Sequence, residues 1–225
     1  MNINKDLALF YGILLGDGMI GKYKRKNRMG YINTIYISLN SNDMEFVDLV
    51  LSPVIKKLIN KEIKIKKLPN KNALVIRIYN IELFKKLEDM GFPLGVKGEK
   101  LIIPEYFFKK NLIKYIIQGF FATDGSFVLT KNPNKYYPRI ESKTTHPILM
   151  RQIYDYLCFV GMKGALYEYK GKMSERWKKQ YRFQFNGYNN LNLFRHKIGF
   201  VNPKHEHRFH DFIEYLGKYS GTAEI

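Results

Sequence analysis

The sequence predicts an α+β protein made of two related halves, and three observations carry this prediction. Two short motifs recur at a nearly constant separation along the chain. Within each half, segments of helical periodicity alternate with pairs of segments in which apolar and polar residues alternate. The basic excess is shared, because residues 1–110 hold 20 basic and 11 acidic residues and residues 111–225 hold 18 and 9.

The elements of the first half follow from these patterns in chain order. An apolar run predicts a helix, an alternating segment predicts a strand, and an amphipathic helix then leads to a hairpin and a short helix. The predicted elements are a helix at 6–16, a strand at 31–39, a helix at 43–60, strands at 62–68 and 73–79, and a helix at 81–90.

The second half repeats this order, so each half has the pattern αββαββα. A last helix is also predicted in the tail, around residues 209–216. The other predicted elements are a helix at 112–123, strands near 126–130 and 137–143, a helix at 146–160, strands at 165–170 and 181–186, and a helix at 190–198.

Two recurring motifs define the duplication. FYGILLGDG at residues 10–18 matches IQGFFATDG at residues 117–125 with an offset of 107, and IELFKKLEDMGFP at 81–93 matches LNLFRHKIGFVNP at 191–203 with offsets of 110 and 108. Such agreement between unrelated motifs predicts an internal repeat. The expected divisions are an N-terminal repeat over 1–92, a connector over 93–111, a C-terminal repeat over 112–203 and a tail over 204–225.

Composition excludes several classes of protein. Of 225 residues, 45% are apolar, which is enough for a hydrophobic core, and the formal net charge of +18 indicates a polyanionic partner. No run of 18 or more apolar residues occurs, so we expect no membrane partner. The single cysteine, Cys158, excludes a disulfide framework and a Cys-rich zinc site. We expect an intracellular protein, cytoplasmic or organellar, from a host with an AT-rich genome.

The two Gly-Asp motifs place a carboxylate where a helix ends. Small residues four apart, Gly12 and Gly16 in one copy and Gly119 and Thr123 in the other, allow two helices to approach closely. Gly18 and Gly125 are expected at the left-handed position that follows a helix. Asp17 and Asp124 would then face each other beside unpaired carbonyls, which suits hard divalent cations. We expect two or more such ions shared by the two aspartates, Mg²⁺ first and Mn²⁺ as a substitute.

These motifs resemble those of the LAGLIDADG homing endonucleases of the single-chain, two-motif type, and the repeat covers about residues 6–203. The resemblance implies a pseudo-two-fold fold with the motif helices at the interface and two antiparallel sheets forming a saddle over DNA. It also implies metal-dependent hydrolysis of both DNA strands. Asp17 and Asp124 would be catalytic and metal-binding, with the carbonyls of Gly16 and Thr123 as further metal contacts.

Family members also carry polar or basic residues at the end of the strand before the long helix. Those places read Leu39-Asn40 and Ser142-Lys143 here. Lys143 is the best candidate for catalytic support, Asn40 and Ser142 are weaker, and the two half-sites are expected to be unequal.

One face of each predicted sheet is rich in Lys, Arg, Tyr, Asn, Gln and Ser, and such a face either is solvated or binds a partner. The net charge and the Tyr-Lys pattern of residues 22–28 favour DNA. The expected DNA contacts in the first half are Lys22, Lys24, Arg25, Tyr36, Ser38, Lys64, Lys66, Arg77 and Tyr79. Those in the second half are Arg139, Glu141, Tyr167, Arg182, Gln184 and Asn186.

The leading hypothesis is a monomeric, site-specific endonuclease that cuts double-stranded DNA at an asymmetric target of roughly 20 bp. The alternative is a non-cutting nucleic-acid-binding protein on the same scaffold, such as an intron RNA maturase or a regulator. An intein is disfavoured, because the chain lacks an amino-terminal Cys or Ser and does not end in His-Asn.

The histidines near the C-terminus and the single tryptophan have simple structural interpretations. His205, His207 and His210 are expected on a solvated surface, although an HNH-type metal site is conceivable. Trp177 lies in a Lys-rich segment and either touches the DNA backbone or packs.

Overall fold

The computed structural model describes residues 2–25, 29–132, 135–169 and 179–220. Lys26 and Arg28 of the basic segment and Trp177 lie outside the described residues.

The first half contains a motif helix, a four-stranded sheet and the helices that cover it. The side chain of Asn4 caps helix α1 by accepting a hydrogen bond from the amide of Leu7 at 3.0 Å. A π-helical turn, Val47–Leu51, joins α2 to α3, so residues 41–59 form one helical stretch. The elements are α1 (Lys5–Asp17), β1 (Gly18–Lys24), β2 (Tyr31–Asn40), α2 (Met44–Phe46), α3 (Ser52–Ile59), β3 (Ile65–Leu68), β4 (Ala73–Ile78) and α4 (Ile81–Asp89).

The second half repeats this arrangement after a short helix, α5 (Glu105–Lys109), in the connector. Its last helix is longer than the tail helix expected at 209–216 and packs beside β5. The elements are α6 (Ile113–Asp124), β5 (Gly125–Asn132), β6 (Lys135–Thr144), α7 (Pro147–Phe159), β7 (Ala165–Tyr169), β8 (Gln180–Asn186), α8 (Tyr188–Lys197) and α9 (Pro203–Ser220).

The two sheets have the same topology. Within the described residues, the strand orders are β1-β2-β4-β3 and β5-β6-β8-β7, and every pairing is antiparallel. This confirms the predicted α+β fold of two related halves. Within the described ranges, no helix is both long enough and apolar enough to cross a lipid bilayer.

The motif helices α1 and α6 pack directly against each other, backbone on backbone. A Cβ atom at Gly12 would lie 2.1 Å from the carbonyl oxygen of Ile116, and one at Gly119 would lie 2.1 Å from that of Leu9. No side chain fits at either place, so the close approach predicted from the small residues is confirmed. Apolar residues of both helices, among them Phe10 and Phe120, are fully buried in one continuous core.

The expectation of a left-handed backbone at Gly18 and Gly125 is wrong. Their φ values are −105° and −85° with extended ψ values, because each motif helix passes directly into the first strand of its sheet. Space, not backbone handedness, requires glycine there. A Cβ at Gly18 would lie 2.5 Å from the Cα of Leu14, and one at Gly125 would lie 2.2 Å from the ring of Phe121.

Candidate active site

Asp17 and Asp124 are the last residues of α1 and α6, and the packing of these helices brings them together. A Cβ at Gly16 would lie 2.1 Å from Thr123 Oγ1 and 3.3 Å from the carboxyl carbon of Asp124. The carboxylate of one motif is therefore beside the backbone of the other. Thr123 Oγ1 donates to the carbonyl of Phe120 at 3.0 Å, which holds this side chain in the contact.

A lysine that the sequence analysis did not single out reaches into this position. The ammonium group of Lys97, in the connector, donates to the carbonyls of Leu14 at 3.1 Å, Leu15 at 2.8 Å and Gly16. These carbonyls belong to the last turn of α1, where carbonyls lack the full set of helical donors, although that of Leu14 also accepts from the amide of Gly18. The Lys97 ammonium also interacts electrostatically with both aspartates.

Burial and mutual repulsion perturb the titration of these groups. Burial, reinforced by the charge of Asp17 and opposed by Lys97, raises the pKa of Asp124 to about 6. Burial also raises the pKa of Asp17, and the nearby Asp43 adds to this effect. Burial lowers the pKa of Lys97 to about 8, against the attraction of the two aspartates. Together these shifts mark a cluster that is short of positive charge.

A second lysine occupies a related place in the other half. Lys204 follows the Gly199-Phe200 pair, as Lys97 follows Gly91-Phe92. Its ammonium group binds Asp43 Oδ1 at 2.9 Å, and its charge opposes the rise in the pKa of Asp17.

Asn202 fixes this second cluster to the motif helix. Its buried side chain donates to the carbonyl of Ala122 at 2.8 Å and to Asp43 Oδ1 at 3.3 Å, and accepts from the amide of Lys204 at 3.2 Å. These contacts link the first half to the second.

The candidates at the strand ends have different surroundings. Lys143 is exposed and lines a cavity with Asp124, Arg182 and Lys204. Ser142 is buried and donates to the carbonyl of Asp124 at 2.9 Å, so it holds the backbone of this aspartate in place. Asn40 caps the turn after β2 by accepting from the amide of Asn42 at 2.9 Å. The side chain of Leu39 is buried.

The C-terminal histidines divide into two kinds. His207 and His210 are exposed, as expected, and His207 lies 3.7 Å from Glu45. His205 contradicts the expectation of a solvated surface, since it is only 2% exposed and packs between the rings of Phe121 and Phe200. Burial and the nearby cationic charges of Lys204 and Arg208 lower its pKa to about 3, so this imidazole is neutral.

The donor set around the aspartates fits a hard divalent cation bound in part by its substrate. Among the described residues, no group of three or more His, Cys, Asp or Glu side chains could hold a metal ion. Mg²⁺ commonly needs only one or two carboxylates, with water and substrate phosphate completing its coordination. Asp17, Asp124 and the carbonyl of Thr123 supply oxygen donors alone, and the raised pKa values indicate a site that a cation would stabilise. The carbonyl of Gly16, the other expected metal contact, accepts from Lys97 instead.

The predicted DNA contacts of the first sheet do not all share one face. Tyr36 and Arg77 are direct neighbours across β2 and β4, with the guanidinium carbon 5.8 Å from the ring centre. Lys22 instead lies on the same side of β1 as the buried Ile20 and pairs with Glu88 of α4 at 3.3 Å. Strand alternation places Lys24 on that side too, so these two lysines flank the sheet from its helical side.

The remaining contacts predicted for the first half are placed as follows. Ser38 and Lys66 lie on the face of Tyr36, where both oppose Val75 on β4. Val75 is a buried residue of this face that the sequence analysis did not name. The last three predicted contacts of the first half are exposed residues that lie outside the strands: Arg25, Lys64 and Tyr79.

The second sheet brings its predicted contacts onto one face. β6 and β8 pair Arg139 with Asn186 and Glu141 with Gln184, and Arg182 stands between Lys143 and Tyr167 on the neighbouring strands. Ile140, Phe183 and Phe185, on the other face, are fully buried in the core.

Comparison with known proteins agrees with this geometry. A family model described as a LAGLIDADG-like domain matches residues 111–199. The matched segment covers the second repeat and includes the second motif at residues 117–125. The resemblance predicted from the two motifs is therefore confirmed. No curated protein matches the sequence at a significant level.

Solved LAGLIDADG endonucleases share the fold over most of their length. I-DmoI in complex with DNA and Mn has a TM-score of 0.62 and 16% identity, over 88% of this chain and 98% of that one. The I-LtrWI homing endonuclease bound to target DNA has a TM-score of 0.61 and 15% identity, over 97% and 92%. The meganuclease I-AabMI bound to uncleaved DNA has a TM-score of 0.60 and 18% identity, over 97% and 93%.

Lys97 and Lys204 are the functional candidates that sequence reasoning missed, and the repeat contained a signal for them. In each copy a lysine follows the Gly-Phe pair within a few residues. The first copy reads GFPLGVK and the second GFVNPK, so continuing the alignment past this pair would have shown both lysines.

Proposed function

We propose that this protein is a site-specific DNA endonuclease that hydrolyses both strands of a long asymmetric target with a divalent metal ion, Mg²⁺ or Mn²⁺. The observation that carries the proposal is the junction of α1 and α6. Two partly buried aspartates meet there at the ends of packed helices, with Lys97 beside them and a polar sheet face in each half. Relatives of the same fold, I-DmoI among them, have been solved with DNA and Mn or Ca.

The chain's own residues have separable roles in this proposal. A bound divalent cation would supply an activated water and neutralise charge on the scissile phosphate. Asp17 and Asp124 would hold two or more such ions between them, with each carboxylate serving one strand, and the packed helices fix the separation of the two carboxylates. Lys97 and Lys143 place positive charge where the phosphorane-like transition state gains negative charge. The sheets hold the duplex, which sets a target of roughly two helical turns, or about 20 bp.

The test is cleavage of a randomised duplex library in Mg²⁺, followed by plasmid cleavage at the selected site. Asp17→Asn and Asp124→Asn should each abolish double-strand cutting while DNA binding in Ca²⁺ persists. The control is Asp155→Asn, because Asp155 is exposed on α7, which covers the core side of its sheet. Linear plasmid from the Asp17→Asn, Asp124→Asn double variant would refute the mechanism. Sequence-selective binding without cutting by the unaltered chain would favour the maturase or regulator instead.

A further inference from the structure

A carboxylate stands in the middle of the polar face of the second sheet. The side chain of Glu141, on β6, is only 17% exposed. One of its oxygens, Oε2, lies 2.6 Å from Arg139 Nε, 2.5 Å from Arg182 Nη2 and 3.2 Å from Gln184 Nε2. Three of the side chains expected to contact DNA therefore converge on this one oxygen.

The sheet register explains the convergence. Gln184 is directly opposite Glu141 on β8, Arg182 is two residues further along that strand, and Arg139 is two residues away on β6 itself. All of them point to the same side of the sheet. Burial opposes ionisation of Glu141, but the hydrogen bonds from Arg182 and Gln184 and the charges of both arginines outweigh it and lower its pKa.

The first sheet has no such group at the corresponding place. Gly18 pairs with Ile37 in the first sheet and Gly125 pairs with Ser142 in the second, so Tyr36 and Glu141 occupy equivalent positions. Tyr36 opposes Arg77, where Glu141 opposes Gln184. The carboxylate therefore belongs to the second half alone among these paired positions.

A carboxylate on a DNA-binding face weakens the attraction to phosphates, so its presence calls for a compensating role. An unrestrained arginine adopts many rotamers and binds phosphate oxygens along any sequence. An arginine held by a carboxylate keeps its remaining N–H groups in a fixed orientation, which bidentate reading of a guanine edge requires.

We propose that Glu141 is a positioning residue for sequence recognition. It holds Arg182 and Gln184 through hydrogen bonds and Arg139 through its charge alone, since Arg139 Nε makes no hydrogen bond. It thereby orients these side chains for base reading in the half-site beneath the second sheet, and it keeps both arginines from binding phosphates without selectivity. Glu141 itself is then not a base reader. This inference rests on the proposed DNA-binding function.

The experiment measures base preference by binding. The full chain and Glu141→Gln select duplexes from a randomised library in Ca²⁺, and the affinities for single-base variants and for an unrelated duplex follow. Discrimination at base pairs beneath the second sheet should fall by about tenfold in Glu141→Gln, which is the size of one lost bidentate contact. Affinity for the unrelated duplex should rise severalfold. Preferences beneath the first sheet should stay as they are.

Two further variants distinguish the effect of the position of the Glu141 carboxylate from the effect of its charge. Glu141→Asp keeps the charge but shortens the side chain, so it should lose base preference without gaining affinity for the unrelated duplex. Glu168→Gln is the matched control, because Glu168 is a half-exposed residue of the same sheet paired with Lys179 at 2.5 Å. It removes the same charge and should leave base preference intact.

The outcomes are distinct. Unchanged preference in both Glu141→Gln and Glu141→Asp would overturn the role of Glu141 while leaving DNA binding in place. Should Glu141→Gln fail to fold, as judged by its melting temperature, Glu141→Asp decides. A wild-type chain that enriches no sequence would refute the proposed function, and this inference with it.

Discussion

At the scale of single residues, the candidate active site contains two carboxylates whose negative charge nearby cations do not fully compensate. Asp17 and Asp124 lie side by side and partly buried, and the ammonium group of Lys97, which contacts the end of α1, has a lowered pKa of about 8. The charges of Lys97 and Lys204 oppose the rise in the pKa of Asp17 without cancelling it, so further positive charge would stabilise the two carboxylates. The uncompensated carboxylate charge that lowers the stability of the fold thus favours the binding of a divalent cation, which in turn can bind a phosphate.

The first prediction concerns Asp124 in the metal-free protein. Its pKa rises from the usual 3.8 to about 6 on folding, so ionisation favours the unfolded state. At pH 3.5 the acid is mostly protonated in both states, and the cost grows as pH rises through 6. Asp124→Asn should therefore increase the free energy of unfolding at pH 7.5 by about 1–3 kcal/mol and change it little at pH 3.5.

Urea unfolding in EDTA at both pH values measures this difference. The Asp155→Asn control, at an exposed carboxylate, should have little effect at either pH. Equal stabilisation by Asp124→Asn at both pH values would show that the carboxylate is not destabilised by burial.

The second prediction concerns Lys97. Lys97→Met keeps the length of the side chain and removes its charge, so DNA binding should stay within a few-fold while cleavage slows by about 10²–10³-fold. Lys100→Met is the control, because Lys100 is an exposed lysine of the same connector. Single-turnover cleavage of the selected target gives the rates. A variant that cuts within threefold of wild type would remove Lys97 from the catalytic group.

At the scale of elements, the sequence was sufficient wherever a pattern reflects burial. Alternation along residues 31–39 and helical periodicity along residues 81–90 predicted β2 and α4, because one face of each is in the core. The matched small residues of the motifs predicted the α1–α6 contact, because only backbone can occupy that space.

Predictions were wrong where contacts come from elements distant in sequence. Gly18 resembles a helix stop, but the strand that follows makes it extended. His205 looks solvated within a charged segment, yet α9 carries it between two phenylalanine rings. No local pattern encodes these partners, because each depends on how separate elements pack.

The third prediction concerns the helix contact. Gly12→Ala should destabilise the protein by roughly 2–4 kcal/mol, since its Cβ would lie 2.1 Å from a backbone oxygen that cannot rotate away. It should also impair cutting, because separating the helices moves the two aspartates apart. Gly98→Ala is the control, since a Cβ at Gly98 meets nothing within 4 Å. Equal urea midpoints for the two variants would contradict the packing.

At the scale of the whole molecule, the duplication makes two halves that are similar in fold and different in chemistry. Lys204 is bound to Asp43, whereas Lys97 lies against the backbone carbonyls at the end of α1. Lys143 lines the cavity beside Asp124, while the uncharged Ser38 holds the equivalent register position of the first sheet. A single chain can hold such differences, which a symmetric dimer of one sequence cannot.

The last prediction follows from this inequality. Lys143 supplies positive charge beside Asp124, and the strand register places the uncharged Ser38 at the equivalent position of the first half, where Asn40 was expected. Lys143→Ala should therefore slow the cutting of one strand more than that of the other, by about 10–100-fold, and nicked plasmid should accumulate before linear product. Supercoiled, nicked and linear forms are followed over time in Mg²⁺, with end-labelled duplexes to identify the slower strand. Lys109→Ala, at an exposed residue of α5, should match wild type. Equal slowing of both strands would mean that Lys143 acts on binding or folding and not on one scissile phosphate.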